Sequence, residues 1–167
     1  MSYKDKLITF TTKDGKSLTT LYKNIELCQT IKNICNHPEN EEEIEDWEVP
    51  QGEIPLNDVN YDVLNKVIAF CKFHSENKNI NNDSEEYINW KKEYLDITDD
   101  ELFNIILAAN YLDVKTLLDM TCETVATYIK SCKTPQDIRR RFSIKNDFTP
   151  EEEEEVKKEN AWYEDSN

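Results

Sequence analysis

Glycine is nearly missing from this chain. Gly15 and Gly52 are the only two in 167 residues, so an oxyanion site built from backbone amides has little to draw on. Histidine is equally rare, at His37 and His74 alone. The pairs Cys35/His37 and Cys71/His74 are what nucleophilic or metal chemistry would use. Neither follows zinc-site spacing, and neither comes with an orienting group, so both read as structural. Basic charge is short as well: 20 Lys and Arg face 35 Asp and Glu, for a net charge of −15. Arginine clusters only at Arg139, Arg140 and Arg141, and no basic stripe could offset that field, which argues against nucleic acid. The arginines read as a solvated or salt-bridging face. The acidity itself reads as a surface that resists self-association, with steering of a basic partner as the alternative. Long apolar runs are absent, so no membrane span is expected. MSYKDKLITF carries charge throughout and has no cleavage site, so no targeting segment is expected either. Five cysteines with no CxxC pair predict buried, reduced thiols in a cytosolic or nuclear protein. The run Glu151 to Glu155 lacks the alternating ligands and turn glycine of a calcium loop. It reads instead as a charged helix start favoured by the macrodipole. No catalytic residue, metal or cofactor is expected.

What is present is punctuation for helices. Between Thr98 and Glu155 the chain reads as four consecutive helices. Thr98, Asp113, Thr134 and Thr149 stand where a side-chain oxygen can cap the amides that follow, an effect of about 1 kcal/mol each. Thr98 with Glu101, and Thr149 with Glu152, have capping-box spacing. Pro135 and Pro150 suit the first helical position, where the missing N–H would have no partner.

Earlier, residues 6–21 alternate apolar and polar side chains around Asp14-Gly15 and predict a hairpin. Residues 22–36 switch to a helical period through Ile25, Cys28, Ile31 and Ile34/Cys35, ended by His37-Pro38. The acidic run 39–53 predicts an exposed loop. A short extended piece, Ile54 to Leu56, precedes a helix over residues 61–74 that Asn60 can cap. Residues 75–86 are polar and asparagine-rich, and predict a linker or insertion. The segment YINWKKEYLDI adds three aromatics. In the helix after Thr98, Leu102, Phe103, Ile106, Leu107, Ala109 and Tyr111 point in several directions and predict a central helix. The last 37 residues hold too few large apolar groups for a core of their own, so they must lie on the preceding helix, on a partner, or on both. Asn110-Tyr111 divides evenly between partly buried core and interface. Trp162-Tyr163, near the end of the sequence, read as binding anchors. The residues point to recognition rather than chemistry.

Several motifs carry a specific likeness. LAANYLDVKTLLDMTC, TPQDIRRRFSIKNDFTPEEEE and KENAWYED resemble the S-phase kinase-associated protein one family, the adaptors of SCF (cullin–RING–F-box) ubiquitin ligases. Asp14-Gly15, PLNDV at 55–59, LNKVIAFCKFH at 64–74, and Trp90 with Tyr94-Leu95 extend the likeness over nearly the whole chain. Residues 21–53 match weakly. Lys91 replaces the acid usual after the tryptophan, and Ala161 and Tyr163 replace the commoner neighbours of Trp162, changes that bear on which partners are accepted.

The resemblance implies an α+β BTB/POZ fold, a small sheet wrapped by helices, over residues 1–130. Within it fall an acidic loop at 39–53 and a polar insertion at 75–86, and residues 131–167 form a helical extension that binds an F-box. It implies a non-enzymatic adaptor that joins an F-box substrate receptor to a cullin, in cytoplasm and nucleus. Asn110 and Tyr111 would face the cullin. Val125, Ile129, Ile138, Phe142, Ile144, Phe148 and Trp162 would face the F-box. When free, the unoccupied apolar groove could pair with a second copy. Pro150 matches a proline that some protist members hydroxylate and then glycosylate, although its place at a helix start already explains it. Two other readings stand: an elongin-C-like adaptor, disfavoured by the extension, and an assembly subunit working without ubiquitin transfer.

Overall fold

The computed structural model describes residues 3–38 and 47–164, side chains after Asn160 excepted. It divides into two compact units, Met1–Ala126 and Thr127–Asn167. The first is α+β. Its sheet has strands β1 (Leu7–Thr12), β2 (Ser17–Leu21) and β3 (Glu53–Leu56) in the order β2-β1-β3. β2 runs antiparallel and β3 parallel to the central β1. Phe10 lies opposite Leu18 on one side and Ile54 on the other, and all three are buried. Strand alternation does this, because Ile8, Phe10 and Thr12 share the inner face while Leu7 points outward. The predicted hairpin is present. Gly15 takes φ +73° and its N–H donates to the Thr12 carbonyl at 2.8 Å. Pro55 is tolerated because β3 pairs only with β1 among the described residues.

Seven helices are described: α1 (Gln29–Ile34), α2 (Tyr61–Glu76), α3 (Glu85–Tyr94), α4 (Asp99–Tyr111), α5 (Lys115–Ser131), α6 (Pro135–Arg141) and α7 (Pro150–Glu164). The single helix expected over 22–36 is in fact two pieces, a 3-10 turn at Tyr22–Ile25 and then α1. The apolar period survives the break, because Ile25, Cys28, Ile31 and Cys35 are all buried, whereas Ile34 is exposed. In the acidic run, Glu48 and residues 50–53 are exposed as expected, but two residues are not. Residues 39–46 lie outside the described residues, but Val49 is buried and the Trp47 indole N–H donates to the Cys35 carbonyl at 3.2 Å. The insertion at 75–86 is shorter than its composition suggests. α2 continues to Glu76, the Asn77 amide donates to the Phe73 carbonyl at 2.9 Å, and Ser84 caps α3 by accepting from Tyr87 N–H at 3.2 Å. YINWKKEY is itself helical. Trp90 stacks on Phe73 with ring centroids 3.8 Å apart, and the Tyr94 hydroxyl donates to the Lys66 carbonyl at 3.0 Å.

Scarce glycine has a structural consequence. α1, α4 and α6 each end in a left-handed residue that is not glycine: Asn36 (φ +48°), Asp113 (φ +51°) and Ser143 (φ +52°). Each stop is a Schellman motif, in which the second residue beyond the cap donates back five positions. His37 N–H reaches the Lys32 carbonyl at 2.9 Å, Val114 that of Ala109 at 2.8 Å, and Ile144 that of Arg139 at 2.9 Å. Asp113 therefore closes α4 and does not cap α5 as expected. Asn60 makes no side-chain cap either. The Tyr61 N–H is taken at 2.9 Å by the Asp14 carboxylate of the hairpin turn. The Thr12 hydroxyl, first, and then that N–H hold the Asp14 carboxyl well below the usual carboxylate range. A left-handed side chain costs about 1 kcal/mol that glycine avoids. Asp113→Gly is accordingly expected to stabilise the protein by about 0.5–1 kcal/mol, read as a higher urea midpoint.

Both histidines are packed among aromatic rings. His37 stacks on Tyr22 at 5.5 Å, with Trp47 at 4.9 Å, and His74 lies 4.3 Å from Phe70. The Nε2 of each is buried without a hydrogen-bond partner. Burial is the main cause that lowers both pKa values below the ordinary value of 6.5. The unfolded chain then takes up these protons at higher pH than the folded one. Stability is full above the unfolded pKa and falls as pH drops below about 6.5 towards the folded values. Urea midpoints should decline from pH 7 to pH 5.5, and His37→Phe/His74→Phe should flatten that decline.

Candidate protein-interaction surfaces

The end of α4 is positioned by two neighbours. Thr98 and Glu101 form a full capping box at its start. At its end, the Gln29 and Thr30 N–H groups of α1 donate to the Asp113 and Leu112 carbonyls at 3.4 and 3.2 Å. The Thr30 hydroxyl donates to the Tyr111 carbonyl at 2.8 Å. The free amides of one helix start thus satisfy the free carbonyls of another helix end, with favourable dipole pairing. This holds the Asn110-Tyr111 backbone. Asn110 is exposed, and Tyr111 is half-buried against the core.

Phe103 and Leu107 are expected from sequence to belong to a central helix, apolar on several faces. They are instead exposed, Leu107 by 67% and Phe103 by 38%. The core side of α4 is carried by Leu102, Ile105, Ala108 and Ala109. Positions 103, 107, 110 and 111 recur at helical spacing and share the outward face. Composition alone could not assign them to it, because leucine and phenylalanine are ordinary core residues.

Among the candidate residues on the rest of the chain, Val125 is half-buried on α5, whose inner face is Leu117, Met120 and Thr121. In the second unit, Ile138 and Phe142 are half-buried, while Ile129 (42%), Ile144 (52%) and Phe148 (44%) are exposed. α6 buries no residue. Its form comes from local signals: Thr134 and Asp137 make a capping box, and Thr149 and Glu152 another ahead of α7. The arginines support the second unit internally. Arg141 lies 3.8 Å over the Tyr128 ring, Arg139 lies 5.6 Å over Phe148 and 3.5 Å from Glu153, and Arg140 is 3.7 Å from Asp137. Pro150 is exposed at the first position of α7. The Trp162 and Tyr163 side chains lie outside the described residues. Lys91, the departure after Trp90, lies 3.8 Å from Glu123.

Two of the buried cysteines have thiols raised above their ordinary range. Burial raises the Cys35 thiol to about 11. The Cys28 thiol is pushed well up by its contact with Cys71, Sγ to Sγ 3.9 Å, and then by burial. Thiols so raised are poor nucleophiles at neutral pH. Only three of the five are buried. Cys122 is exposed and Cys132 half-buried, against expectation.

Residues 6–76 match the Skp1 family tetramerisation domain, its POZ domain, and residues 115–163 match the Skp1 family dimerisation domain. SKP1-like protein 11 of Arabidopsis thaliana is 43% identical over 94% of this chain and 96% of its own length. A Skp1-related protein of Caenorhabditis elegans is 50% identical over 67% of each chain. The E3 ubiquitin ligase complex SCF subunit sconC of Arthroderma otae is 40% identical, with 95% and 94% covered. Two family domains on one chain, with such identity over almost its full length, leave one conclusion: the chain belongs to the Skp1 family, with a POZ domain at its amino-terminal end.

Proposed function

We propose that this protein is the adaptor of an SCF-type ubiquitin ligase, joining an F-box substrate receptor to a cullin scaffold without catalysing transfer itself. The observation that carries this reading is the second unit. It has well-capped helices but leaves Ile129, Ile144, Phe148 and Val156 exposed, the pattern of a surface completed by another chain. The relatives named as SCF subunits support an F-box receptor as that chain. Val125, Ile129, Ile138, Phe142, Ile144 and Phe148, with Trp162, take the F-box. The outward face of α4, Phe103, Leu107, Asn110 and Tyr111, takes the cullin amino-terminal domain. Function is then positioning, because receptor and ligase held on one body raise the effective concentration of substrate at the transfer site. Modification of Pro150, self-association of the free protein, and residence in cytoplasm and nucleus belong to the same reading.

The test is reconstitution from purified parts. The full chain should bind an F-box fragment and a cullin amino-terminal domain separately, and bridge them when all three are mixed. Ile144→Ala/Phe148→Ala should weaken the F-box by about tenfold or more and leave the cullin unaffected. An F-box that binds the double variant as tightly as the native chain would remove the second unit from the interface.

A further inference from the structure

The first unit contains a cleft whose charge runs against the rest of the molecule. It has a volume of about 460 Å³ and opens between the 3-10 turn with α1, the end of α2, and the first turn of α5. Lys23, Lys32 and Lys78 line it against a single carboxylate, Glu26, in a chain of net charge −15. Glu26 is already engaged, 3.0 Å from Lys4 and accepting from the Tyr3 hydroxyl at 3.4 Å. Lys23 lies 3.5 Å from Asp5. Lys32 and Lys78 have no ion pair among the described residues. The hydroxyl-bearing Ser75 and Thr116 also line the cleft, as does His74, whose Nε2 is buried without a hydrogen-bond partner.

We propose that this cleft is a binding site for a small phosphate-bearing molecule. Two ammonium groups lining one concavity, neither with an ion pair among the described residues, favour an anion between them. A phosphate monoester carries close to two negative charges at neutral pH, which matches Lys32 and Lys78 better than one carboxylate would. The lysine ammonium is a compact point charge with rotatable donors, so it can meet phosphate oxygens without a fixed fork geometry. The volume exceeds what orthophosphate needs and lies in the range of small-molecule sites. None of this depends on the adaptor role. The lining residues belong to other elements than α4, α6 and α7.

The test uses the full chain, isotopically labelled, titrated with inorganic orthophosphate and pyrophosphate at constant ionic strength. Acetate serves as the carboxylate control. Saturable amide shifts at Lys32, Ser75, Lys78 and Thr116 with the phosphate probes are expected. Lys32→Gln and Lys78→Gln should each weaken binding by about tenfold. The charge-matched Lys145→Gln, in the second unit, should leave it unchanged. The site is ruled out if neither phosphate probe saturates these amides, if acetate binds as well as pyrophosphate, or if Lys145→Gln weakens binding as much as the cleft variants.

Discussion

Leu107→Asp/Asn110→Ala should abolish cullin binding while the F-box still binds at native strength. Leu107 is 67% exposed and Asn110 is exposed, so neither change removes a core contact and the free protein should fold as before. In a complex the position is different. An aspartate carried into a desolvated patch beside Phe103 and Tyr111 has no partner, and a buried unpaired charge costs several kcal/mol. Loss of affinity by about a hundredfold or more is expected by calorimetry or biolayer interferometry. Ile88→Asp, on the exposed side of α3, is the control and should leave cullin affinity intact. A double variant that lost both partners together, or kept the cullin, would refute two separate surfaces.

Phe10→Ala should be the most damaging single substitution in the fold. Phe10 is fully buried at the centre of the sheet, opposite Leu18 and Ile54. Removing its ring deletes apolar burial and leaves a void between two strand partners, a combined cost of about 3–5 kcal/mol. That is a large share of the roughly 5–15 kcal/mol that holds a domain folded. Phe148→Ala is the comparison, since Phe148 is already 44% exposed and should cost under about 1 kcal/mol. Urea unfolding at pH 7 separates the two. Similar midpoints for both variants would mean that the sheet is not the centre of stability.

The legible parts of this chain were those governed by neighbours in sequence. The hairpin around Gly15, the caps at Thr98, Thr134 and Thr149, and the prolines opening α6 and α7 all follow from contacts within four residues. The motifs carrying the family likeness were equally legible, being a matter of residue order. Misreadings came where a distant group intervened. Asn60 holds a cap residue's place but makes no side-chain bond, and the helix start is instead tied to Asp14, which accepts from the Tyr61 N–H 47 positions away. Asp113 looked like a cap until α4 and its Schellman turn claimed it. Val49 and Trp47 sit in an acidic run that composition assigns to solvent, yet the aromatic group of Tyr3, Tyr22 and His37 gathers around Trp47.

The sequence by itself determined the family, the α+β class, the helix starts at Thr98, Thr134 and Thr149 and the thin apolar content of the carboxy-terminal extension, because short-range hydrogen bonding and residue identity decide those. Tertiary structure alone decided which apolar residues of α4 face outward, how α1 anchors the end of that helix, and that Lys78 joins Lys23 and Lys32 in lining one cleft. Periodicity reports that a helix has faces. Only the packing of other elements against it determines which face is left for a partner.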